Sequence, residues 1–249
     1  MLTVVGSGCK RWGAQPESWE PVSIEMVRLM RARLDKDPSD SNKIIWGGIL
    51  LSFFFLGRGG EFWGSKHALK MKNIMMWAGV NKRWEFCNMK PRSVSVKWDT
   101  DKTSTEAEVN LFASGDIDMC PVEAALWILK GRRGYLAKGR KLSDKASAGS
   151  SRATALAWIK DAARATGVPE EKLHLYKLHS LRVGGTTVLA AGGKDEMIIR
   201  LHGRWKSNTN RRYAHRTPGT FIGVSALMMS TEKMEKEAWE GGDGVPITW

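Results

Sequence analysis

His179-Ser180-Leu181-Arg182-Val183-Gly184-Gly185 sets an imidazole and a guanidinium three residues apart, at the opening of a helical pattern over 179–191. On a helix, positions i and i+3 share a face, so the two groups can reach one point. A phosphate is a natural occupant of that point, because arginine offers a planar fork to its oxygens. Two other segments belong with this one. Upstream, Gly57-Arg58-Gly59-Gly60-Glu61 directly follows the most apolar run of the chain, IIWGGILLSFFFL at 44–56. Downstream, Gly203-Arg204-Trp205-Lys206-Ser207 is followed by Arg212-Tyr213. Each segment alone has a structural reading as well. A His-x-x-Arg is commonly a solvated helix face, and a buried Arg after a helix is commonly an ion pair. Tyr213 beside Arg211 and Arg212 also reads as a surface ring covering basic stems. The order of the three segments is what carries information.

The composition narrows the class of partner. Lys and Arg number 39 against 26 Asp and Glu, a formal net charge of +13. A surplus of this size favours a polyanion, since phosphate contacts supply most nucleic-acid affinity. The apolar fraction of 42% fits a globular chain rather than a disordered one. Cys9, Cys87 and Cys120 stand far apart, with no zinc spacing among them, and their odd number argues against a disulfide framework. A reducing intracellular compartment is therefore expected. The apolar run at 44–56 falls short of the roughly 20 residues that span a bilayer, so it reads as a buried helix. The first residues, MLTVVGSGCKRWG, lack the apolar region of a signal peptide.

Along the chain, residues 1–20 read as irregular. Ser23 caps a helix over 24–34, with Ile24, Val27, Met30 and Leu34 at helical spacing. After the turn cluster at 35–42, Ser41 is expected to cap the apolar helix, which should end at Gly57. The period then changes. Residues 93–98 and 106–111 alternate around the polar turn DTDKTST, which reads as a β-hairpin with Lys102 near its tip. A further strand is expected within 66–78. Pro121 opens a helix over 121–131, and a basic Gly- and Ser-rich connection covers 131–151. Helical patterns follow at 152–166, 179–191, 194–202, 207–215 and 222–239. The expected fold class is mainly α with one small antiparallel β-sheet.

The order Arg58, Lys102, His179-x-x-Arg182, Trp205, Tyr213 resembles the signature of the tyrosine recombinases and integrases. Gly57-Arg58-x-x-Glu61, the hairpin Lys102, HSLRVGG and Tyr213 carry the resemblance, which extends over residues 10–225. The GRWKS variant and Cys120-Pro121-Val122 before a helix look more like the DIRS-type and Crypton recombinases of eukaryotic mobile elements. In many members a His or Trp stands nine residues before the tyrosine. Here that register holds Arg204, while Trp205 stands eight before; Trp205 is assigned the supporting role, with His202 and Arg204 as rivals.

The resemblance implies a catalytic-domain fold over residues 21–221, between an irregular segment at 1–20 and a C-terminal helix and tail at 222–249. The space before residue 20 does not hold the family's N-terminal core-binding domain, which is expected outside this chain or lost from it. The partner is double-stranded DNA, bound by a homotetramer, and the location is DNA-associated, nuclear in a eukaryote. No metal, cofactor or membrane is called for. Tyr213 would attack a phosphodiester to form a 3′-phosphotyrosine. Its hydroxyl is a poor nucleophile at the usual pKa near 10, and cationic neighbours favour the phenolate. Arg58 and Arg182 would clamp the phosphate. His179 would donate to a phosphate oxygen or assist removal of the Tyr213 proton. Lys102 would protonate the departing 5′ oxygen, and Glu61 would orient Arg58 or Lys102. The rival functions are a type IB-like topoisomerase and a catalytically idle DNA-binding module from a mobile element. The main reading requires Arg58, Lys102, His179, Arg182, Trp205 and Tyr213 to line one basic concave surface.

Overall fold

The structure is a computed structural model that describes residues 19–64, 68–79, 82–84, 89–98 and 107–205. Lys102, Tyr213 and the helical patterns at 207–215 and 222–239 lie outside the described residues, as does nearly all of the segment at 1–20.

Helix α1, Ile24–Lys36, begins as its sequence requires. Ser23 accepts a hydrogen bond from the Met26 N–H at 3.1 Å, and Met26, Val27, Met30 and Leu34 point into the core. The apolar run forms α2, Asp40–Phe54, buried along most of its length and central to the fold. Its cap is Ser39 rather than the expected Ser41. The reason is Asp40. Its carboxylate sits in the positive first turn and pairs with Lys43 at 3.3 Å and with Lys138, so the helix gains by starting two residues earlier.

The far end of α2 differs from expectation too. The helix stops at Phe54, before Gly57, and Leu56 takes a left-handed conformation at φ 49°. That is a strained region for a branched residue. It turns the chain sharply into the short helix α3, Gly59–Trp63.

A four-stranded antiparallel sheet follows, built from β1 (Ile74–Gly79), β2 (Lys82–Arg83), β3 (Ser93–Trp98) and β4 (Ala107–Phe112) in the order β2-β1-β3-β4. The hairpin read from the sequence is the β3–β4 pair, with Val94 opposite Leu111 and Val96 opposite Val109. The strand expected upstream is β1. Val94 and Val96 reach the core from the middle of the sheet.

Helix α4, Pro121–Ala137, outruns its expected end at 131. The glycines that suggested a stop serve packing instead. A Cβ on Gly131 would come 2.5 Å from the Asp40 carbonyl, and one on Gly134 would meet the Asp40 carboxylate at 2.1 Å. Only glycine lets α4 lie this close to α2. The connection after α4 is fastened by Arg132, which donates to the carbonyls of Lys145 (2.6 Å) and Ser143 (2.8 Å).

Among the described residues, the remaining α-helices are α5 (Arg152–Ala165), α6 (Ser180–Ala191) and α7 (Glu196–His202). Helix α6 is seated by the two glycines of HSLRVGG. A Cβ on Gly184 would fall 2.1 Å from the Val22 carbonyl, and one on Gly185 would fall 2.3 Å from the Phe53 carbonyl. The start of α6 is thus pressed against the end of α2, immediately before Arg58. Among the described residues, no helix is long and apolar enough to cross a membrane.

Because the obstructing atom at Gly185 is backbone, Gly185→Ala must push α6 off α2. A loss of about 1–3 kcal/mol is expected, the usual range for overpacking, measured as a lower denaturant midpoint at unchanged slope. An unchanged midpoint would show that the two helices are not held at this distance.

Candidate active site

The C-terminus of α2 ends with carbonyls that no further helical turn can satisfy. Three consecutive ones are taken by side chains from the segments singled out above. His202 Nε2 lies 2.6 Å from the Phe54 oxygen; a carbonyl only accepts, so this nitrogen carries the proton. Arg204 Nη1 donates to the Phe55 oxygen at 3.1 Å. Arg182 Nη1 donates to the Leu56 oxygen. The left-handed turn at Leu56 is what swings that last carbonyl toward Arg182.

Arg182 is only 1% exposed. Besides the Leu56 carbonyl it holds the Gly203 carbonyl through Nη2, and its Cζ lies 4.1 Å from the centre of the Trp205 ring. A guanidinium removed from water needs such a set of acceptors and an aromatic face to remain charged. Arg182 therefore ties the end of α2, the start of α6 and the segment after α7 into one unit.

Arg58 stands at the N-terminus of α3, and its side chain is 48% exposed. Its backbone N–H donates to Glu61 Oε2 and its Nη1 to Glu61 Oε1, both at 2.7 Å. A second guanidinium shares that carboxylate: Arg204 Nη2 donates to Glu61 Oε2 at 2.8 Å. The Arg204 Cζ also lies 4.2 Å from the centre of the Trp98 ring, at the end of β3.

His179 opens α6 within the field of this cluster. Burial, then the Arg182 and Arg58 charges, push its pKa from 6.5 down to about 4, with Glu61 acting against them. His202 is lowered as well, first by burial. Both rings are therefore neutral near pH 7. Three guanidinium charges against one carboxylate leave the cluster positive around a neutral imidazole. Such a site can receive a phosphate and take or give a proton beside it.

Of the six residues expected to converge, Arg58, His179, Arg182 and Trp205 come together. Lys102 and Tyr213 lie outside the described residues. Sequence reasoning names Glu61 as orienting Arg58 or Lys102 and Arg204 only as a rival to Trp205, and misses that the two join Trp98 in one network. The available signal was the register, since Arg204 stands nine residues before Tyr213. Among the described residues, no group of His, Cys, Asp and Glu could hold a metal ion.

No family model and no curated protein matches this sequence. Solved structures do resemble it. One is the XerH site-specific recombinase bound to palindromic difH substrate, a post-cleavage complex, at TM-score 0.54 and 16% identity, covering 86% of this chain and 55% of that one. Another is the pre-cleavage complex of XerH with difH substrate, at TM-score 0.52 and 16% identity, covering 87% and 56%. The fold is that of the tyrosine recombinase catalytic domain. The chain spans little more than half the length of the XerH chains it matches. On this tyrosine recombinase fold, the basic cluster sits where α2, α3, α6 and the segment after α7 meet.

The His179 shift has a measurable consequence. Its pKa is lower folded than unfolded, so the unfolded state binds more protons between the two values. The stability contributed by the neutral ring is complete above about pH 6.5 and is lost as the pH falls through about 4. Imidazole NMR titration should place His179 near 4, and unfolding free energy should decline over that window. His179→Gln should flatten the decline without abolishing it, because His202 is shifted in the same direction. A His179 titration near 6.5 would contradict the packed, cation-rich setting.

Proposed function

We propose that this chain is the catalytic part of a site-specific DNA recombinase or integrase that cleaves and rejoins double-stranded DNA through a 3′-phosphotyrosyl intermediate. The observation that carries this reading is the gathering of Arg58, His179, Arg182 and Trp205 at the end of α2, from positions up to 147 residues apart. The XerH structures of the same fold are held on difH DNA before and after cleavage, and the +13 charge suits the same partner.

In the proposed reaction the Tyr213 oxygen attacks a backbone phosphorus and the 5′ oxygen leaves. Arg58, half exposed, meets the nonbridging oxygens directly. Arg182, fixed by two carbonyls and Trp205, supplies a charge that needs no reorganisation as negative charge builds. His179, neutral at working pH, is able to accept the Tyr213 proton. Lys102 delivers a proton to the departing 5′ oxygen. The phosphotyrosine conserves the bond energy, and a 5′ hydroxyl then attacks it to reseal the strand, so the chemistry needs neither ATP nor a metal. Assembly as a homotetramer on DNA, with residues 222–249 docking between subunits, completes the proposal.

The test uses suicide DNA substrates at low salt, in which the cleaved end diffuses away and the adduct accumulates. The chain should form a covalent protein–DNA band that Tyr213→Phe abolishes and Arg58→Ala reduces about 100- to 1,000-fold, as for loss of a charge-stabilising donor. Noncovalent binding should fall steeply with salt for wild type and Tyr213→Phe alike. Salt-sensitive binding with no adduct would overturn the enzymatic reading and leave a DNA-binding module.

A further inference from the structure

We propose that Arg204 is a positioning residue of this site: by sharing the Glu61 carboxylate with Arg58, it leaves the Arg58 charge only partly compensated toward a phosphate and fixes that clamp to strand β3 through Trp98. The inference rests on the reading of Arg58 as a phosphate clamp.

The geometry separates the two arginines by role. Both donate to Glu61, Arg58 to Oε1 and Arg204 to Oε2. Arg58 is 48% exposed, whereas the Arg204 side chain is 9% exposed and cannot itself meet a ligand from solution. Were Arg58 alone on Glu61, the pair would be neutral, and a phosphate would compete with the carboxylate for one fork. A second guanidinium on the same carboxylate leaves the triad with one net positive charge, borne on the exposed member.

Arg204 is also the more constrained of the two. Its Nη1 is held by the Phe55 carbonyl at 3.1 Å, its Cζ lies 4.2 Å from the Trp98 ring centre, and its own backbone is left-handed at φ 58°. A non-glycine residue kept in that region costs about 1–3 kcal/mol and persists where its surroundings over-determine it. Burial lowers its pKa to about 10, with Glu61 opposing, so the charge is present at neutral pH. Trp98 closes β3 just before the segment at 99–106 that contains Lys102. Arg204 thus ties the clamp to the end of β3.

The test is titration of the full chain with inorganic phosphate, followed by the His179 imidazole signals. Arg204→Gln should weaken phosphate binding about tenfold, because Glu61 is then left to neutralise Arg58 alone. Arg204→Lys keeps a cation for Glu61 but loses the fork onto the Phe55 carbonyl and the stack on Trp98, so it should weaken binding less than Arg204→Gln without matching wild type. The double variant Glu61→Gln/Arg204→Gln removes the competing carboxylate and should recover most of the loss. A merely structural Arg204 would leave the double variant at least as weak as the single one, since contacts are lost from both sides. If Arg204→Gln fails to fold, Glu61→Gln carries the test: it should bind phosphate at least as tightly as wild type, and a tenfold weakening would overturn the proposal. Arg58→Ala separates the two readings. If it abolishes phosphate binding while every Arg204 variant binds as wild type, the positioning role is wrong and the clamp stands. If Arg58→Ala also binds as wild type, the clamp falls and the positioning role with it.

Discussion

Three carbonyls left over at the end of a buried helix organise this molecule. The oxygens of Phe54, Phe55 and Leu56 emerge where α2 stops, in the low-dielectric middle of the fold, and each must find a donor. His202, Arg204 and Arg182 provide them. The negative end of the helix dipole and the two guanidiniums therefore stabilise one another. Since α2 is buried on nearly every side, its end cannot turn to water for partners. The segments carrying these three residues have to come to it, and Arg58 lies two residues beyond the last of the carbonyls. A requirement of backbone hydrogen bonding thereby assembles a cationic site.

The same arrangement holds charges that would otherwise repel. Arg58, Arg182 and Arg204 share one neighbourhood, yet each has a distinct neutralising environment. Arg182 has carbonyls and an indole, Arg204 has a carbonyl, a carboxylate and an indole, and Arg58 has the carboxylate and water. Burial depth then divides the labour. The deeper guanidiniums order the scaffold and shape the potential, and the shallow one stays half exposed to solvent. The imidazole of His179 registers the result as a pKa held near 4.

Much of the fold was legible because it rests on local rules. Ser23 as a cap, the alternation of β3 and β4, and the all-apolar α2 each follow from one short stretch. The boundaries that differed were set by distant partners. Lys138 helps fix where α2 begins, 98 residues away from Asp40. The glycines at 131 and 134 looked like a stop, and only the closeness of α2 explains them. In the site, the motif residues Arg58, His179, Arg182 and Trp205 were readable from their order. The Glu61–Arg204–Trp98 link was not, because a shared carboxylate and a stacked ring leave no periodic trace in sequence. Sequence placed Arg182 as a clamp open to phosphate. Its near-complete burial depends on Leu56 adopting a left-handed turn, which nothing in a leucine announces.

That turn has a consequence for how the chain can change over time. Leu56 and Arg204 are the two described non-glycine residues with positive φ, and both border Arg182. At either position a glycine would relax the backbone, but it would give up a fully buried leucine side chain or the contacts of Arg204 with Phe55, Glu61 and Trp98. The strain therefore persists because the packing around it outweighs it, and the aim of the site is inherited together with the stability of the fold.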